Sequence, residues 1–134
     1  MEISFDSRIV LVTGASRGIG KSTAMLFAES GASVVVHYHV NKAAAQSVIN
    51  SLPGKRHTTC QADIASPEDL KQMVSTVISR YGRIDILVNN AGIYEEKDMT
   101  GIPVEEFLSY WETTIRVNLT GPALLSNLIA REMI

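Results

Sequence analysis

Short runs of apolar, mostly β-branched residues alternate along this chain with longer segments in which apolar residues recur every three or four positions. The short runs lie at 8–12, 33–37, 84–88 and, more weakly, 56–61. A continuous apolar run that leads into a turn signal is typical of a strand buried on both faces, as in a parallel sheet. We therefore predict four parallel strands.

The intervening segments have the period of helices. The clearest of them begins after Ser66-Pro67, which supply a capping hydroxyl and a proline suited to the first helical position. Gly82 is placed to end this helix in the left-handed conformation. Its apolar stripe consists of Leu70, Met73, Val74, Val77, Ile78 and Tyr81. We predict two further helices, at about 19–30 and 41–52.

Strand and helix thus alternate about every 25 to 30 residues, the pattern of a right-handed parallel βαβ series and of the α/β class. A long helix is predicted from about residue 104, and Gly121-Pro122 is expected to bend it rather than end it. The chain stops at Ile134 without a helix-ending glycine or a following strand. We expect an N-terminal piece of a longer protein, truncated in or after this helix.

The composition narrows the class of protein. Hydrophobic residues make up 46% and charged residues 19%, as in a globular domain rather than a disordered chain. Twelve basic against fourteen acidic residues give a net charge of -2, and the basic ones are scattered, so nucleic acid is not an expected partner. No apolar run approaches the roughly 20 residues that span a bilayer. We expect a single soluble, cytoplasmic domain over residues 1–134.

The strongest chemical signal is Thr-Gly-Ala-Ser-Arg-Gly-Ile-Gly at 13–20, directly after the first predicted strand and at the start of a helix. Glycines let the backbone turn tightly and approach a pyrophosphate, whose charge is stabilised by the free amides and dipole of the helix start. The alternative is a glycine-rich structural turn without a ligand. The spacing of Gly14, Gly18 and Gly20 between a strand and an amphipathic helix favours dinucleotide binding.

This spacing resembles the TGxxxGxG cofactor loop of the short-chain dehydrogenase/reductase family. Three further motifs agree with that family: Asp63-Ile64 after the third strand, Asn-Asn-Ala-Gly at 89–92 after the fourth, and Asn118 within Val-Asn-Leu. The four motifs cover nearly the whole chain and are most similar in type to the 3-oxoacyl-[acyl-carrier-protein] reductases. The resemblance implies a Rossmann-like doubly wound parallel sheet, here incomplete, with about four strands in the order 3-2-1-4.

The resemblance also implies roles for individual residues. Asn118 would be catalytic, holding a water that feeds the proton relay, although an asparagine satisfied by nearby backbone is the alternative and both can hold. Asp63 would contact adenine, but an aspartate at a strand end also caps turns, and Asn90 could be mainly structural. The implied cofactor-binding residues are Thr13, Gly14, Ser16, Arg17, Gly18, Ile19, Gly20, Tyr38, His39, Asp63, Ile64, Asn90, Ala91 and Gly92.

The choice of cofactor follows from charge. NAD-binding strands usually end in an acid that bonds the ribose hydroxyls, whereas the second strand here ends at His39 with no acid before Lys42. Arg17, with His39 or Lys42, would hold a 2′-phosphate, since a guanidinium offers forked donors to phosphate. The alternative is that Arg17 is a solvated loop charge. We predict NADP(H) as the preferred cofactor and NAD(H) as the second option.

Two other patterns are set aside. Tyr38 and Lys42 have the Tyr-xxx-Lys spacing of the family's proton donor, but they lie at the end of the second strand, far earlier than the family places that motif. The three histidines and the single cysteine, Cys60, match no zinc spacing, so no metal site is predicted.

The Ser, Tyr and Lys that carry the family's chemistry have no counterpart at a matching position of this chain. We expect the cofactor half of an NADP(H)-dependent enzyme that reduces a small-molecule carbonyl, 3-oxoacyl or similar, to an alcohol. The alternative is a truncated dinucleotide-binding module without catalysis. Residues 1–134 alone should be inactive and should self-associate through exposed strand and helix surfaces. By resemblance, the full-length protein should be a homo-oligomer without membrane association.

Overall fold

The computed structural model describes residues 3–134, which form a parallel sheet with helices on both faces. The strands are β1 (Ile9–Val12), β2 (Ser33–Tyr38), β3 (Thr58–Gln61) and β4 (Ile86–Val88). The helices are α1 (Gly18–Glu29), α2 (Lys42–Ser51), α3 (Pro67–Tyr81), α4 (Val104–Ile115) and α5 (Gly121–Glu132), with a π-helical turn at Arg116–Thr120. All four predicted strands are present.

The strand order is β3-β2-β1-β4, with every pair parallel, which confirms the predicted order 3-2-1-4. Val10 of β1 pairs with Val34 on one side and with Ile86 on the other. All residues of β1 are buried, which explains its continuous apolar sequence. Because all strands run the same way, their carboxyl ends meet at one edge, where ligands bind in open α/β sheets.

Alternate residues of the central strands supply two separate cores, as the two-residue period of a strand requires. The first core lies under α3 and α5 and contains Ile9, Leu11, Val35, Leu70, Met73, Val77, Leu125 and Ile129. The second lies under α1 and α2 and contains Val10, Val12, Val34, Val36, Ala24, Ala28, Ala45 and Val48. The sheet is therefore fixed from both faces, and the loops at its edge rest on a rigid base.

Helix ends follow the predicted signals. The Ser66 hydroxyl accepts a hydrogen bond from the Asp69 amide at 3.2 Å, and the Asn41 side chain accepts one from the Ala44 amide at 2.9 Å. Gly82 ends α3 with φ of 79°, the left-handed conformation that favours glycine. These local contacts set the bounds of α2 and α3 close to the predicted ones.

The predicted long helix differs in detail. Its irregularity is the π-helical turn at Arg116–Thr120, whereas Gly121 has ordinary helical angles, so the distortion begins before the predicted Gly121-Pro122 bend. Gly121 is instead required by packing. A Cβ at this position would lie 2.3 Å from the Ile64 carbonyl oxygen, so glycine lets α5 approach the segment that follows β3.

Asp85, directly before β4, ties this strand to the start of β1. Its carboxylate accepts hydrogen bonds from the Ile9 amide at 2.8 Å and from Arg8 at 3.3 Å, and it also pairs with Arg83. Burial alone would raise the pKa of Asp85, but these hydrogen bonds outweigh it and hold the pKa below its usual 3.8.

Within residues 3–134 no helix has the length and apolar character needed to cross a membrane.

Candidate dinucleotide-binding site

The glycine loop, residues 13–20, joins β1 to α1 at the carboxyl edge of the sheet. Gly14 and Gly18 have φ of 60° and 56°, values that side-chain-bearing residues rarely adopt. Arg17 is the N-cap of α1 and makes no side-chain capping hydrogen bond, and the first turn contains no acidic residue. The amides of this turn are therefore suited to an anion.

Thr13 and Asn90 join the glycine loop to the segment after β4. The buried Thr13 hydroxyl accepts hydrogen bonds from the amides of Asn90 at 3.0 Å and Ala91 at 2.9 Å, and it donates to the Val88 carbonyl at 3.3 Å. In return, the Asn90 side-chain amide donates to the carbonyls of Thr13 at 3.0 Å and Gly14 at 3.2 Å. Both side chains thus hold the loop in shape, the structural role left open for Asn90.

Close packing explains two of the glycines. A Cβ on Gly14 would lie 2.9 Å from the Ala91 Cα, and one on Gly20 would lie 2.4 Å from the Gly14 carbonyl oxygen. A Cβ on Gly18 would meet nothing within 4 Å, so the space beside it is open. The loop is therefore packed on its inner side and accessible on its outer side, where Ile19 is 80% exposed.

His37 is a buried residue of this site. For His37 the sequence suggested only a metal site, and the spacing of the histidines did not support one. Its Nδ1 accepts a hydrogen bond from the Gly14 amide at 2.9 Å, and its Nε2 lies 2.9 Å from the Ala62 carbonyl oxygen. Burial lowers the pKa of His37 below 6.5, the bond to Ala62 acts in the opposite direction, and His39 lowers it further. One sequence feature could have identified His37: it is a polar residue within an apolar strand, and the end of that strand must lie near the glycine loop.

The predicted cofactor-binding residues at the ends of β2 and β3 differ in their exposure to solvent. His39 is exposed, and its Nε2 lies 4.0 Å from a carboxylate oxygen of Asp63. The other Asp63 oxygen accepts a hydrogen bond from the Ala65 amide at 2.8 Å, so the turn-capping alternative is present. Tyr38 and Ile64 are 7% and 5% exposed, with their side chains in the core. Their cofactor contacts, like that of Asp63, stay predictions.

Asn118 lies in the π-helical turn and is exposed. Its side chain donates to the Ile93 carbonyl at 2.7 Å and accepts from the Ile93 amide at 2.8 Å, so it pairs with this backbone as a neighbouring strand would. A Cβ on Gly92 would lie 3.3 Å from the Asn118 side-chain oxygen. The amide is thus satisfied by nearby backbone, and the catalytic role of Asn118 stays a prediction.

Ser16 is half-buried in the glycine loop, and the cationic side chains Arg17 and Lys42 are exposed at the starts of α1 and α2. No group of three or more His, Cys, Asp or Glu side chains that could hold a metal ion is found in the described part of the chain. The site therefore offers backbone amides, two exposed cations and an open surface.

Comparison with known proteins identifies the same family that the motifs resemble. A family model for short chain dehydrogenases matches residues 8–134, and the chain belongs to the short-chain dehydrogenase/reductase family of oxidoreductases. Among curated relatives, the chain is 36% identical over 130 residues to a 3-oxoacyl-[acyl-carrier-protein] reductase of Synechocystis sp., covering 96% of this chain and 51% of the relative. It is 38% identical over 117 residues to the Staphylococcus epidermidis reductase FabG, covering 86% and 46%.

Solved structures of similar fold belong to the same class of dehydrogenases. A 7α-hydroxysteroid dehydrogenase in complex with NADH and 7-oxoglycochenodeoxycholic acid superposes with a TM-score of 0.86 at 36% identity, covering 98% of this chain and 50% of that one. A Burkholderia cenocepacia short chain dehydrogenase in complex with NADP superposes with a TM-score of 0.86 at 33% identity, covering 96% and 52%. The chain spans about half the length of the curated relatives it matches.

Proposed function

We propose that this chain is the dinucleotide-binding part of an NADP(H)-dependent reductase that converts a carbonyl compound, a 3-oxoacyl group or similar, to an alcohol. The observation that carries the proposal is the glycine loop, packed against Ala91 on its inner side and open beside Gly18 on its outer side. The relationship to 3-oxoacyl-[acyl-carrier-protein] reductases supports the substrate class.

The residues present fit a dinucleotide. A side chain at Gly14 or Gly20 would force the loop apart, whereas Gly18 leaves room where a diphosphate would approach the first turn of α1. That turn carries no acid to repel phosphate. When bound, the nicotinamide supplies the hydride. This chain's own residues would bind and orient the cofactor, and Asn118 fixes the backbone at Ile93.

The preference for NADP(H) rests on charge at the end of β2. No acid lies between Tyr38 and Lys42, and the exposed Arg17 borders the same edge of the sheet. An acid there would bond the ribose hydroxyls of NAD and repel a 2′-phosphate. The relatives were solved with NADH in one case and NADP in another, so the preference is argued from this chain's residues.

Arg17→Ala tests this preference. The dissociation constants of NADPH and NADH are measured by fluorescence titration of the full-length protein and its variants. Loss of a charge-assisted contact worth about 1.5–3 kcal/mol should weaken NADPH binding roughly 10- to 100-fold and leave NADH within about twofold. Lys71→Ala, on α3 at the face of the sheet opposite to α1, removes a cation as a control and should change neither.

The outcomes separate two claims. Tighter binding of NADH than NADPH by the wild-type protein contradicts the assigned preference. Binding of neither nucleotide contradicts the proposed function as a whole.

The chemistry is proposed to need residues outside this chain. None of Tyr81, Tyr94 and Tyr110 is followed by lysine at the fourth position, and Tyr38, which is, lies buried at the end of β2. Residues 1–134 alone are therefore expected to bind nucleotide without turnover, whereas the full-length protein should oxidise NADPH with a 3-oxoacyl thioester. Turnover by residues 1–134 contradicts this division. Inactivity of the full-length protein favours the alternative, a binding module without catalysis.

The full-length protein is further proposed to be a homo-oligomer, as the resemblance implies. The supporting observation is a set of exposed apolar side chains on α4 and the π-helical turn: Val104, Leu108, Trp111, Ile115 and Leu119. Its cytoplasmic location stays a prediction from sequence.

A further inference from the structure

One imidazole connects the ends of three adjacent parallel strands. His37, near the end of β2, bonds through Nδ1 to the amide of Gly14, just after β1, and through Nε2 to the carbonyl of Ala62, just after β3. The Ala15 amide donates to the His37 carbonyl at 3.0 Å, so backbone and side chain of the same residue hold the start of the glycine loop. His37 is 1% exposed.

The two partners fix the protonation state of the ring. The Gly14 amide only donates and the Ala62 carbonyl only accepts, so Nδ1 must be bare and Nε2 must carry the proton. A protonated imidazole carries hydrogen on both nitrogens. Its Nδ1–H would then face the Gly14 N–H, which removes the hydrogen bond and sets two donors against each other.

We propose that His37 is a positioning residue for the dinucleotide, whose neutral ring holds the Gly14 amide and the glycine loop in the conformation that receives the diphosphate, and that acidification releases this loop. The inference rests on the proposed dinucleotide-binding function. It assigns a pH-dependent step to cofactor binding through a side chain that does not itself need to touch the cofactor.

The surroundings of His37 decide the sign of the effect. Burial is the largest influence and lowers the pKa of the ring below 6.5, the Ala62 carbonyl opposes this, and nearby His39 adds to it. Cys60, the residue paired with His37 on β3, is a thiol whose pKa is raised by burial. The neutral ring is therefore favoured in the folded protein. Cofactor affinity should be complete at pH 6.5 and above, and should be lost as the pH falls through the lowered pKa of His37.

Other charged groups lie around this corner. Asp63 and Asp69 lie between β3 and the first turn of α3, where the Asp69 carboxylate accepts from the Asp63 amide at 2.8 Å. Arg17 is exposed on the glycine loop. Among the hydrogen bonds of residues 3–134, no carboxylate bonds His37, so no acid holds its ring in the protonated form.

The test compares affinity at several pH values. NADH is the main probe because it lacks a 2′-phosphate, a group that would itself titrate near pH 6. Its dissociation constant is measured on the full-length protein between pH 8.0 and 5.0. In the wild-type protein we expect it to rise as the pH falls through the lowered pKa of His37, approaching tenfold for each pH unit below that pKa. His37→Asn offers a non-titrating acceptor to the Gly14 amide, and its dissociation constant should change less than twofold.

His57→Asn is the matched control. His57 makes the same two kinds of bond, from the Val34 amide to Nδ1 at 3.0 Å and between Nε2 and the Pro53 carbonyl at 2.8 Å, but at the opposite end of β2. This variant should keep the wild-type pH profile. If His37→Asn keeps it too, or if the wild-type affinity stays flat through the pH at which the His37 ring takes up its proton, the inference is overturned while the proposed function stands.

A second measurement on the wild-type protein does not depend on the variant folding. NMR follows the chemical shifts of the His37 imidazole nitrogens and of the Gly14 amide as the pH is lowered. These shifts should change together, and their midpoint should be the same as that of the change in affinity. A His37 ring that stays neutral while affinity falls overturns the inference. Failure of NADH and NADPH to bind at pH 7.5 would instead contradict the proposed function.

Discussion

Replacing Thr13 with valine removes one hydroxyl from a position that is 1% exposed while keeping the branched shape of the side chain. The hydroxyl serves the amides of Asn90 and Ala91 and the carbonyl of Val88. The Asn90 amide keeps a second acceptor, the Val88 carbonyl at 3.0 Å. The Ala91 amide has no other hydrogen bond among those found in residues 3–134, so it loses its partner.

The cost can be worked out from these contacts. Leaving one amide unsatisfied costs about 1–3 kcal/mol, and weakening the shared bond of Asn90 adds roughly 1 kcal/mol. Burial of the new methyl group returns about 1 kcal/mol. We therefore expect Thr13→Val to lower the free energy of unfolding by about 1–3 kcal/mol.

Urea denaturation of the full-length protein measures this change, provided the slope of the transition is unaltered. The control is Thr23→Val in α1. The Thr23 hydroxyl donates to the Ile19 carbonyl one turn earlier at 2.9 Å, so its loss leaves no amide without a partner. The control should stay within about 0.5 kcal/mol of wild type. If Thr13→Val is as mild as the control, the hydroxyl does not join the two loops as described.

Two further perturbations test other contacts. Asp85→Asn should make the free energy of unfolding fall less steeply as the pH is lowered. Hydrogen bonds hold the pKa of Asp85 below 3.8 despite burial, so the stabilisation by its carboxylate is complete above that pH and is lost as the pH falls further. Unfolding free energies between pH 6 and 2.5 measure this, and an unchanged pH slope would contradict it. Asn118→Ala should speed hydrogen exchange of the Ile93 amide at least tenfold, because that amide loses its only bond found in residues 3–134. Exchange as slow as in wild type would show that another group protects it.

Much of the fold follows from local sequence signals. The apolar runs at β1 and β2 predict buried parallel strands because both faces of the sheet are covered, and Ser66 and Gly82 set the ends of α3 through contacts within a few residues. The location of the candidate site follows as well, since the glycine loop at 13–20 begins directly after β1.

The remaining features depend on distant contacts. His37 contacts Gly14 and Ala62 only because three strands end in register, which no local pattern encodes. Gly121 is needed because α5 approaches the Ile64 carbonyl, a contact between segments that are distant in sequence, whereas the sequence pointed only to a bend at Gly121-Pro122. The hydrogen bonds of Thr13 to the amides of Asn90 and Ala91 also join residues 77 and 78 positions apart, and the cofactor contact that the resemblance implies for Thr13 stays a prediction.

The bonds of Thr13 also constrain the order of events during synthesis. Its partners lie 75 to 78 residues further along the chain, and β4 completes the pairing of the strand that is made first. At translation rates of about 5–20 residues per second, the glycine loop waits roughly 4–15 s for the segment that shapes it. A nascent chain that ends before β4 therefore exposes one edge of β1 and lacks all three groups to which the Thr13 hydroxyl bonds.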